Sequence, residues 1–341
     1  MADLCRFKLL AFFSVDIIGS TPAKAHQRQP SPPSWASWLK QFFVEFPKQV
    51  VAQYPDDPGE REYVDPCHRL RVWKLNGDEV LLFAELTHHS QIVDHILAVR
   101  AAIDVYAPSL ARKAGECNNV SIWLKATAWL AGFPVTNVEV VVPDAIEGGQ
   151  EVRDYIGPSI DLGFRLTKLA TRRRFVLSAD LAHMLLSALP AHQSKHADHS
   201  PGGEGGRYRE LVIGYDGAEP LRGVLGGVPY PVVYVQMADR YADMEDDVLA
   251  RPTRHTPSGL LELLTHYLKS TPGLRLPFVY GDDGYGTGAG DLEDALALIV
   301  EEERRLAVEA EASDSDDGED AKLEVDERLL DGVDQANMSP T

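Results

Sequence analysis

Runs of apolar residues separated by short polar turns predict alternating strands and helices through the first two thirds of the chain. The run Phe7–Val15 has the length and the β-favouring composition of a buried strand. Two further apolar runs flank Asn76-Gly77-Asp78. Asn-Gly in such a place is a strong β-hairpin signal, because both residues tolerate the positive φ of a tight turn. An apolar stripe at helical spacing predicts a helix over Ser90–Gly115.

The aromatic-rich segment Trp35–Tyr54 carries rings at spacings of three and four, which predicts an amphipathic helix interrupted at Pro47. Strand and helix patterns then alternate as far as Gln236. This order predicts an α/β fold with a mixed sheet flanked by helices. The other predicted strands are Val120–Gly132, Val135–Val142, Val152–Ile156, Arg172–Ser178, Arg207–Tyr215 and Val228–Gln236, and the other predicted helices are Gly157–Thr171, Ala179–Leu189, Leu260–Leu268 and Leu292–Ala312.

The charge of the 341 residues is unevenly distributed. The formal net charge is −19, and residues 301–341 hold 15 acidic against 4 basic residues. We predict a catalytic domain over 1–237, a helical C-terminal extension over 238–312 and an acidic, disordered tail over 313–341. So acidic a chain lacks the basic face that a nucleic acid requires, which argues against that partner. A small anionic ligand stays compatible with the less charged body.

Three cysteines, Cys5, Cys67 and Cys117, are too few and too scattered for a disulfide framework or a metal cluster. Free thiols in a reducing cytosol are the simplest interpretation. The sequence contains no run of 18 apolar residues and no signal-peptide pattern before Asp16. These features predict a cytoplasmic protein without a membrane partner.

Two carboxylates in the predicted sheet indicate metal chemistry. Asp16 ends the first strand and is followed by Ile-Ile-Gly-Ser, and Asp78 lies at the tip of the hairpin. Taken singly, an Asp after a strand is usually a turn or cap former. Two carboxylates on two strand ends, each near a glycine, can instead share divalent cations.

The pair resembles the metal motifs of the class III nucleotide cyclases, and the resemblance covers most of the chain up to residue 236. It implies that Asp16 and Asp78 hold two divalent ions, Mn²⁺ or Mg²⁺, over a nucleoside triphosphate. It implies further that the carbonyl of Ile17 joins the coordination and that backbone near Phe13 and Gly19 lies along the phosphates. The ions would activate the ribose 3′-hydroxyl and neutralise charge during in-line attack on the α-phosphate.

A second motif, DYIGPSIDLGFRL, supports the same resemblance. The family carries a Gly, an Asn four residues on and an Arg four further, and here these positions are Gly157, Asp161 and Arg165. The resemblance implies that Arg165 stabilises the charge that grows on the α-phosphate. Asp161 replaces the family Asn, and an ionised carboxylate can accept a hydrogen bond from the ribose but cannot donate one. Without the resemblance, an Asp and an Arg one helical turn apart are more often a surface salt bridge.

The residues that would recognise the base are Lys74 and Asp154, whose positions usually recognise adenine in the family. The wider chain resembles instead the Pycsar pyrimidine cyclases of bacterial anti-phage defence, which make cyclic UMP or cyclic CMP for a separate effector protein. This resemblance implies UTP as the substrate ahead of CTP, with Tyr155 among the residues that shorten the pocket. Arg222 lies where the family often carries a phosphate-binding Lys or Arg, and a solvated loop arginine is the alternative.

The family is dimeric, with sites between subunits, and this chain carries both sets of site residues. The resemblance therefore implies a symmetric homodimer with two equivalent sites. Three alternatives stay open: a conventional adenylate cyclase that uses ATP, an inactive nucleotide-binding homologue, and a non-enzymatic adaptor that docks through its acidic tail.

Two further segments attract attention because of their composition. The three histidines of the loop 191–206, which are His192, His196 and His199, fit mobile surface residues better than metal ligands. The Gly/Asp-rich run Gly281–Asp291 lacks the Lys-Ser/Thr pair of a P-loop, so we assign it no phosphate.

Overall fold

The apolar run at the start of the chain forms an 11-residue strand, β1 (Lys8–Ile18), which pairs with a neighbour on each side. In the computed structural model the described residues are 7–25, 35–54, 64–118, 122–142, 152–196, 211–237, 255–282, 292–302 and 304–305. Since both flanks of β1 are hydrogen-bonded, this strand fixes the position of everything that its end carries.

The remaining elements alternate as the sequence predicts. The strands are β2 (Arg71–Asn76), β3 (Glu79–Leu86), β4 (Trp123–Phe133), β5 (Val138–Val142), β6 (Val152–Ile156), β7 (Arg174–Leu177), β8 (Ile213–Pro220) and β9 (Pro229–Gln236). The helices are α1 (Ser20–Ala25), α2 (Trp35–Val51), α3 (Gln91–Asn118), α4 (Pro158–Leu166), α5 (Ala179–His196) and α6 (Pro257–Ser270).

Seven strands form one mixed sheet in the order β2-β3-β1-β4-β7-β9-β8. Every neighbouring pair is antiparallel except β4 and β7, which run parallel over two residue pairs. Strands β5 and β6 form a separate antiparallel ribbon. The predicted fold class, an α/β fold with a mixed sheet flanked by helices, is confirmed.

The alternation of side chains along β1 separates two packing layers. Odd-numbered residues such as Phe13 and Val15 lie in the main core, together with the apolar faces of α2, α3 and α5. Leu10 and Phe12, which point to the other face, lie in a second cluster rich in aromatic rings. Because Asp16 follows at the same period, its side chain lies on the aromatic face of the sheet.

Helix α4 lies close against β4 because it carries a glycine at the contact. A Cβ on Gly163 would lie 2.2 Å from a ring atom of Trp129, so only glycine fits there. The start of the helix is held by the buried Asn137, whose Oδ1 accepts from the backbone N–H of Ser159 at 3.1 Å. Gly157, at φ 141, makes the turn into the helix.

Residues of the predicted C-terminal extension belong to the same body as the sheet. Leu260, Leu264 and Leu268 of α6 are buried in the main core, and α6 packs on α5. One compact unit extends over Met1–Glu293 and contains both the sheet and α6, and the domain bounds 1–237 and 238–312 stay a prediction. The described residues of the second unit, 294–302 and 304–305, are helical. The predicted tail, 313–341, lies outside the described residues.

Some element boundaries differ from the predicted ones. The strand predicted over Arg207–Tyr215 is observed as β8 from Ile213, and residues 207–210 lie outside the described part of the chain. Pro47 lies inside α2, which continues past it to Val51, so the predicted interruption there is wrong. Among the described helices, none has the length and apolar content to cross a lipid bilayer.

Candidate active site

The two predicted metal carboxylates lie at the same end of the sheet. Asp16 of β1 is the direct cross-strand partner of Glu79, the first residue of β3. Asp78 immediately precedes Glu79 in the turn between β2 and β3. Residues directly opposite each other in an antiparallel pair are neighbours on one face. The hairpin therefore brings Asp78 next to the end of β1, as the sequence predicts.

Each of these carboxylates faces a lysine ammonium. Lys125, the cross-strand partner of Asp16 on β4, lies 3.1 Å from its Oδ2. Lys24 of α1 lies 3.6 Å from Asp78 Oδ1, and the hydroxyl of Ser20 donates to Asp78 Oδ2. The two carboxylates thus point to places where positive charge is already held. Oxygen ligands of this kind suit Mg²⁺ or Mn²⁺, and such ions would take the place of the ammonium groups.

A third carboxylate, Glu79, lies beside the pair. It is 9% exposed, accepts from the hydroxyl of Ser14 and from Asn76 Nδ2 at 3.2 Å, and lies next to Asp16. Burial raises the pKa of Glu79, and the charge of Asp16 acts in the same direction, against the lowering effect of the two hydrogen bonds. Sequence analysis did not single out this residue, although it directly follows Asp78.

The backbone groups predicted to contact the ion or phosphates differ in accessibility. The pairing of β1 with β3 ends at Asp16, so Ile17 lies just beyond it. Gly19, at φ 89, turns the chain into α1. Phe13 is 0% exposed and is paired with both β3 and β4. A residue enclosed in this way has no free surface, so the predicted phosphate contact near Phe13 stays a prediction that the geometry does not favour.

Lys74 and Asp154, the predicted base-recognition residues, form an ion pair. Lys74 Nζ lies 2.7 Å from Asp154 Oδ1 and 4.1 Å from the centre of the Trp73 ring. Burial acts to raise the pKa of Asp154, but hydrogen bonds from Lys74 and from the backbone of Tyr155 outweigh it and bring the pKa below its usual value. The structure thus joins two residues that are 80 positions apart.

Tyr155, the neighbour of Asp154 in β6, lies in the aromatic cluster. Its ring centre is 5.3 Å from that of Phe12 and 5.4 Å from that of Trp73. Burial raises the pKa of Tyr155 to about 12, so the phenol is protonated at neutral pH. Trp73 therefore contacts both Tyr155 and the ammonium of Lys74.

Asp161 and Arg165 are both exposed on α4, and no ion pair between them is found in the described part of the chain. The surface salt bridge that was their alternative interpretation is therefore absent there. Asp161 lines a cavity of about 300 Å³, together with Asp180 and Tyr230. Burial raises the pKa of Asp180 to about 6.

Arg222 is exposed in the loop between β8 and β9. Its neighbour Gly223 lines the same cavity as Lys8 and Leu9, at the start of β1. Leu9 and Asp16 are seven residues apart on one extended strand, or about 23 Å. Within one chain, Arg222 therefore lies at the end of the sheet away from Asp16.

The structure also shows residues that sequence analysis missed. Lys125 and Lys24 contact the two carboxylates, and Lys125 Nζ also donates to the carbonyl of Thr167, at the end of α4, at 3.2 Å. Strand alternation gave one usable signal, because Lys125 is a lone charge in the strongly apolar strand that pairs with β1.

No family model matches the chain, and no curated protein matches it. Solved structures to which it is similar include the adenylyl cyclase CyaB from P. aeruginosa, at 13% identity and a TM-score of 0.47, over 69% of this chain and 97% of that chain. The guanylate cyclase domain of RhGC from Catenaria anguillulae, in complex with GTP, has 12% identity and a TM-score of 0.43, over 69% and 100%. The dimeric guanylyl cyclase domain of the RhoGC fusion protein from Blastocladiella emersonii has 10% identity and a TM-score of 0.42, over 68% and 98%. At this level of similarity no chemistry is transferred from them.

Proposed function

We propose that this protein is a metal-dependent nucleotide cyclase that converts UTP, ahead of CTP, to the 3′,5′-cyclic nucleotide and pyrophosphate. The observation that carries the proposal is that Asp16 and Asp78 lie at the same end of the sheet, each beside a lysine ammonium. The product would act as a second messenger for a separate effector in anti-phage defence, as the family resemblance of the sequence implies.

In this proposal the ribose 3′-hydroxyl gives its proton to water and its oxygen forms a bond to the α-phosphorus. The bond from the α-phosphorus to the oxygen that bridges it to the β-phosphate breaks, and pyrophosphate leaves. Asp16 and Asp78 hold the divalent ions, with the carbonyl of Ile17 as a further ligand. When bound, the ions lower the pKa of the hydroxyl and offset the charge of the phosphates. The backbone at Gly19 would approach the phosphates, and Arg165 would stabilise charge on the α-phosphate oxygens.

Lys74 and Asp154 would hold the base, one as a donor and the other as an acceptor. Uracil offers a carbonyl oxygen to Lys74 and a ring N–H to Asp154. Adenine offers an acceptor and an amino group to the same pair, so the pair is compatible with the second candidate, an adenylate cyclase. The ring of Trp73 beside Lys74, packed on Tyr155, is bulk that would favour the smaller base.

The working form would be a homodimer. Asp161 and the loop of Arg222 lie around the cavity that begins beside Lys8 and Leu9, away from Asp16 of the same chain. A second copy would bring these groups to the carboxylates, and the family resemblance implies that it also supplies Arg165. Exposed apolar residues on the β5–β6 ribbon, Val138 at 51% and Ile156 at 54%, are direct cross-strand partners and offer a surface for that copy.

One incubation with each of the four nucleoside triphosphates and Mn²⁺, with products identified by mass, tests the substrate. We expect cyclic UMP as the main product. Cyclic AMP as the main product would support the adenylate cyclase instead, and triphosphate binding without pyrophosphate release would support the inactive homologue. If no triphosphate binds, the adaptor alternative is favoured.

The metal assignment is tested by Asp16→Asn and Asp78→Asn. We expect each change to lower turnover with Mn²⁺ at least about a hundredfold, because a neutral amide binds a divalent ion far more weakly than a carboxylate does. Glu219→Gln, at an exposed acidic residue of β8, is the matched control and should keep wild-type turnover. Wild-type activity in either Asp variant would contradict the assignment.

A further inference from the structure

A second group of metal-ligating side chains lies outside the proposed active site. His88 and His89 follow β3 and precede α3, and Asp282 follows α6 in the chain. One ligand atom from each of the three lies within 4.8 Å of the others. This is the one group of three or more His, Cys, Asp or Glu ligands that the described residues contain.

The two histidine rings and the Asp282 carboxylate face one another at short distances. His89 Nδ1 lies 2.8 Å from Asp282 Oδ2, and His88 Nε2 lies 3.7 Å from Asp282 Oδ1. The two imidazole rings are stacked with centres 4.6 Å apart. The backbone N–H of His89 also donates to Asp282 Oδ2 at 2.8 Å. Both carboxylate oxygens of one aspartate are therefore directed at two neighbouring histidines.

The chain around Asp282 is firmly held. The Asp282 side chain is 3% exposed, and its backbone N–H donates to the carbonyl of Val279 at 3.2 Å. Val279 is buried in the main core, and the ring of Phe278 packs edge-on against Phe7 at 5.6 Å. The carboxylate is thus placed by a packed segment rather than by a loose surface loop.

We propose that His88, His89 and Asp282 bind one divalent transition-metal ion of the zinc type, which clamps the segment after α6 to the loop between β3 and α3. Two imidazoles and one carboxylate form a ligand set that suits Zn²⁺. The His88 side chain is 52% exposed, so water can reach the fourth position. His88 Nδ1 accepts from the backbone N–H of Ser90 at 3.2 Å and lies 2.8 Å from Ser90 Oγ. When Nε2 binds the metal, Nδ1 would carry the ring proton and donate it to this hydroxyl.

This site differs chemically from the pair Asp16 and Asp78. The active-site pair offers oxygen ligands, which suit Mg²⁺ and Mn²⁺, whereas two imidazoles favour Zn²⁺ over those hard cations. Zinc binding at the clamp does not depend on nucleotide cyclisation, so the two proposals can fail separately.

The test uses the full chain with His192 and His196 of α5, and His199, replaced by Ala, which removes these three histidines as a competing site. After treatment with a chelator and desalting, we expect this protein to bind one Zn²⁺ by calorimetry. Zinc should raise its midpoint of thermal unfolding, because an ion that binds only the folded chain stabilises it. Co²⁺ should give the visible absorption of a low-coordinate site with nitrogen ligands.

His88→Ala in the same background should weaken zinc binding at least about tenfold and remove the thermal shift, since one of three ligands is lost. His88 is exposed, so the variant is expected to fold. The control is His266→Ala, at an exposed histidine of α6, which should bind zinc as the parent does. Asp282→Asn should also lose zinc.

Equal zinc affinity in the His88→Ala variant and the parent would overturn the proposal. So would the absence of zinc binding by the parent, which would leave Asp282 as a hydrogen-bonded docking residue only. Mn²⁺-dependent activity that is unchanged in the His88→Ala variant would support the separation of the two sites.

Discussion

Single residues set the electrostatics of the proposed site. Asp16 is flanked on its row of the sheet by Glu79 on β3 and Lys125 on β4, so a like charge and an opposite charge lie on its two sides. The ammonium of Lys125 lies 3.1 Å from Asp16 Oδ2. In the proposed metal site, Lys125 would therefore compete with the ion for this oxygen.

We expect Lys125→Met to lower the Mn²⁺ concentration needed for half-maximal activity several-fold. A partly exposed ion pair contributes up to about 1 kcal/mol, which corresponds to about fivefold in affinity. In the variant, the metal ion would not have to break this ion pair in order to bind Asp16. A titration of activity with Mn²⁺ measures the effect, with Lys168→Met, at an exposed lysine after α4, as the control. An unchanged or higher half-saturating concentration would show that Lys125 does not compete with the ion.

His95 makes the stability of the protein depend on pH. It is 0% exposed on α3, its Nδ1 lies 2.7 Å from the hydroxyl of Tyr54, and burial lowers its pKa to about 3. The unfolded chain, with an ordinary histidine pKa near 6.5, then binds a proton that the folded chain does not bind between about pH 6.5 and 3. The contribution of His95 to stability is therefore present at neutral pH and is lost as the pH falls.

Urea unfolding of the wild type and of His95→Asn across this range tests the prediction. The wild type should lose stability relative to the variant by up to about 1.4 kcal/mol per pH unit as the pH falls. The asparagine keeps a polar group near Tyr54 and does not titrate, and the comparison cancels other groups such as Asp180. Parallel pH profiles for the two proteins would rule out a buried neutral histidine.

At the scale of elements, the hairpin and the long helix were predictable because their signals are local. The turn between β2 and β3 is Gly77-Asp78, one residue beyond the start of the Asn-Gly signal. This signal and the apolar stripe of α3 both depend on residues that are close in the chain. The location of helix α4 along the chain was predictable, but its packing distance from the sheet was not. The distance of the helix from β4 depends on the close contact of Gly163 with Trp129, and its first turn depends on the hydrogen bond to Asn137. No periodic pattern in the sequence encodes these contacts.

We expect Gly163→Ala to destabilise the protein by about 1–3 kcal/mol, because the new methyl group overlaps the buried Trp129 ring and moves α4 away from β4. Activity should fall too, because the helix carries Asp161 and Arg165. Urea unfolding and turnover measure both effects. The control is Gly115→Ala, on α3, where nothing lies within 4 Å of the new Cβ. This change should raise the free energy of unfolding by up to about 1 kcal/mol. A neutral Gly163→Ala would mean that α4 does not lie so close to the sheet.

At the scale of the whole molecule, the contacts that join distant parts of the chain were not predictable. Lys125 is 109 positions from Asp16, and Asp282 is 193 positions from His89. Such pairs arise from topology and register, so a sequence can suggest each residue type but not its partner. The packing of α6 on α5 is another long-range contact of this kind.

The proposed homodimer predicts a result from mixing two inactive variants. Asp16→Asn and Arg165→Ala should each be inactive alone. After the two proteins are mixed and allowed to exchange subunits, about half of the dimers are mixed, and each has one intact site of two. We therefore expect about a quarter of the wild-type activity. The control is Asp16→Asn mixed with Asp78→Asn, which share the same half-site and should stay inactive. No recovery in the first mixture would exclude a site composed of two chains.

The parallel contact of β4 with β7 is the narrowest joint of the sheet, since only Thr127–Val176 and Ala128–Leu177 are paired there. On one side of this joint, four antiparallel strands carry both aspartates of the proposed metal site, and on the other side three strands carry the loop of Arg222. A change that loosens strands β7, β9 and β8 is transmitted to the other four strands through only a few backbone hydrogen bonds. The carboxylate pair should therefore tolerate alterations beyond the joint, such as insertions in the loop between β8 and β9, better than alterations of β3 or β4.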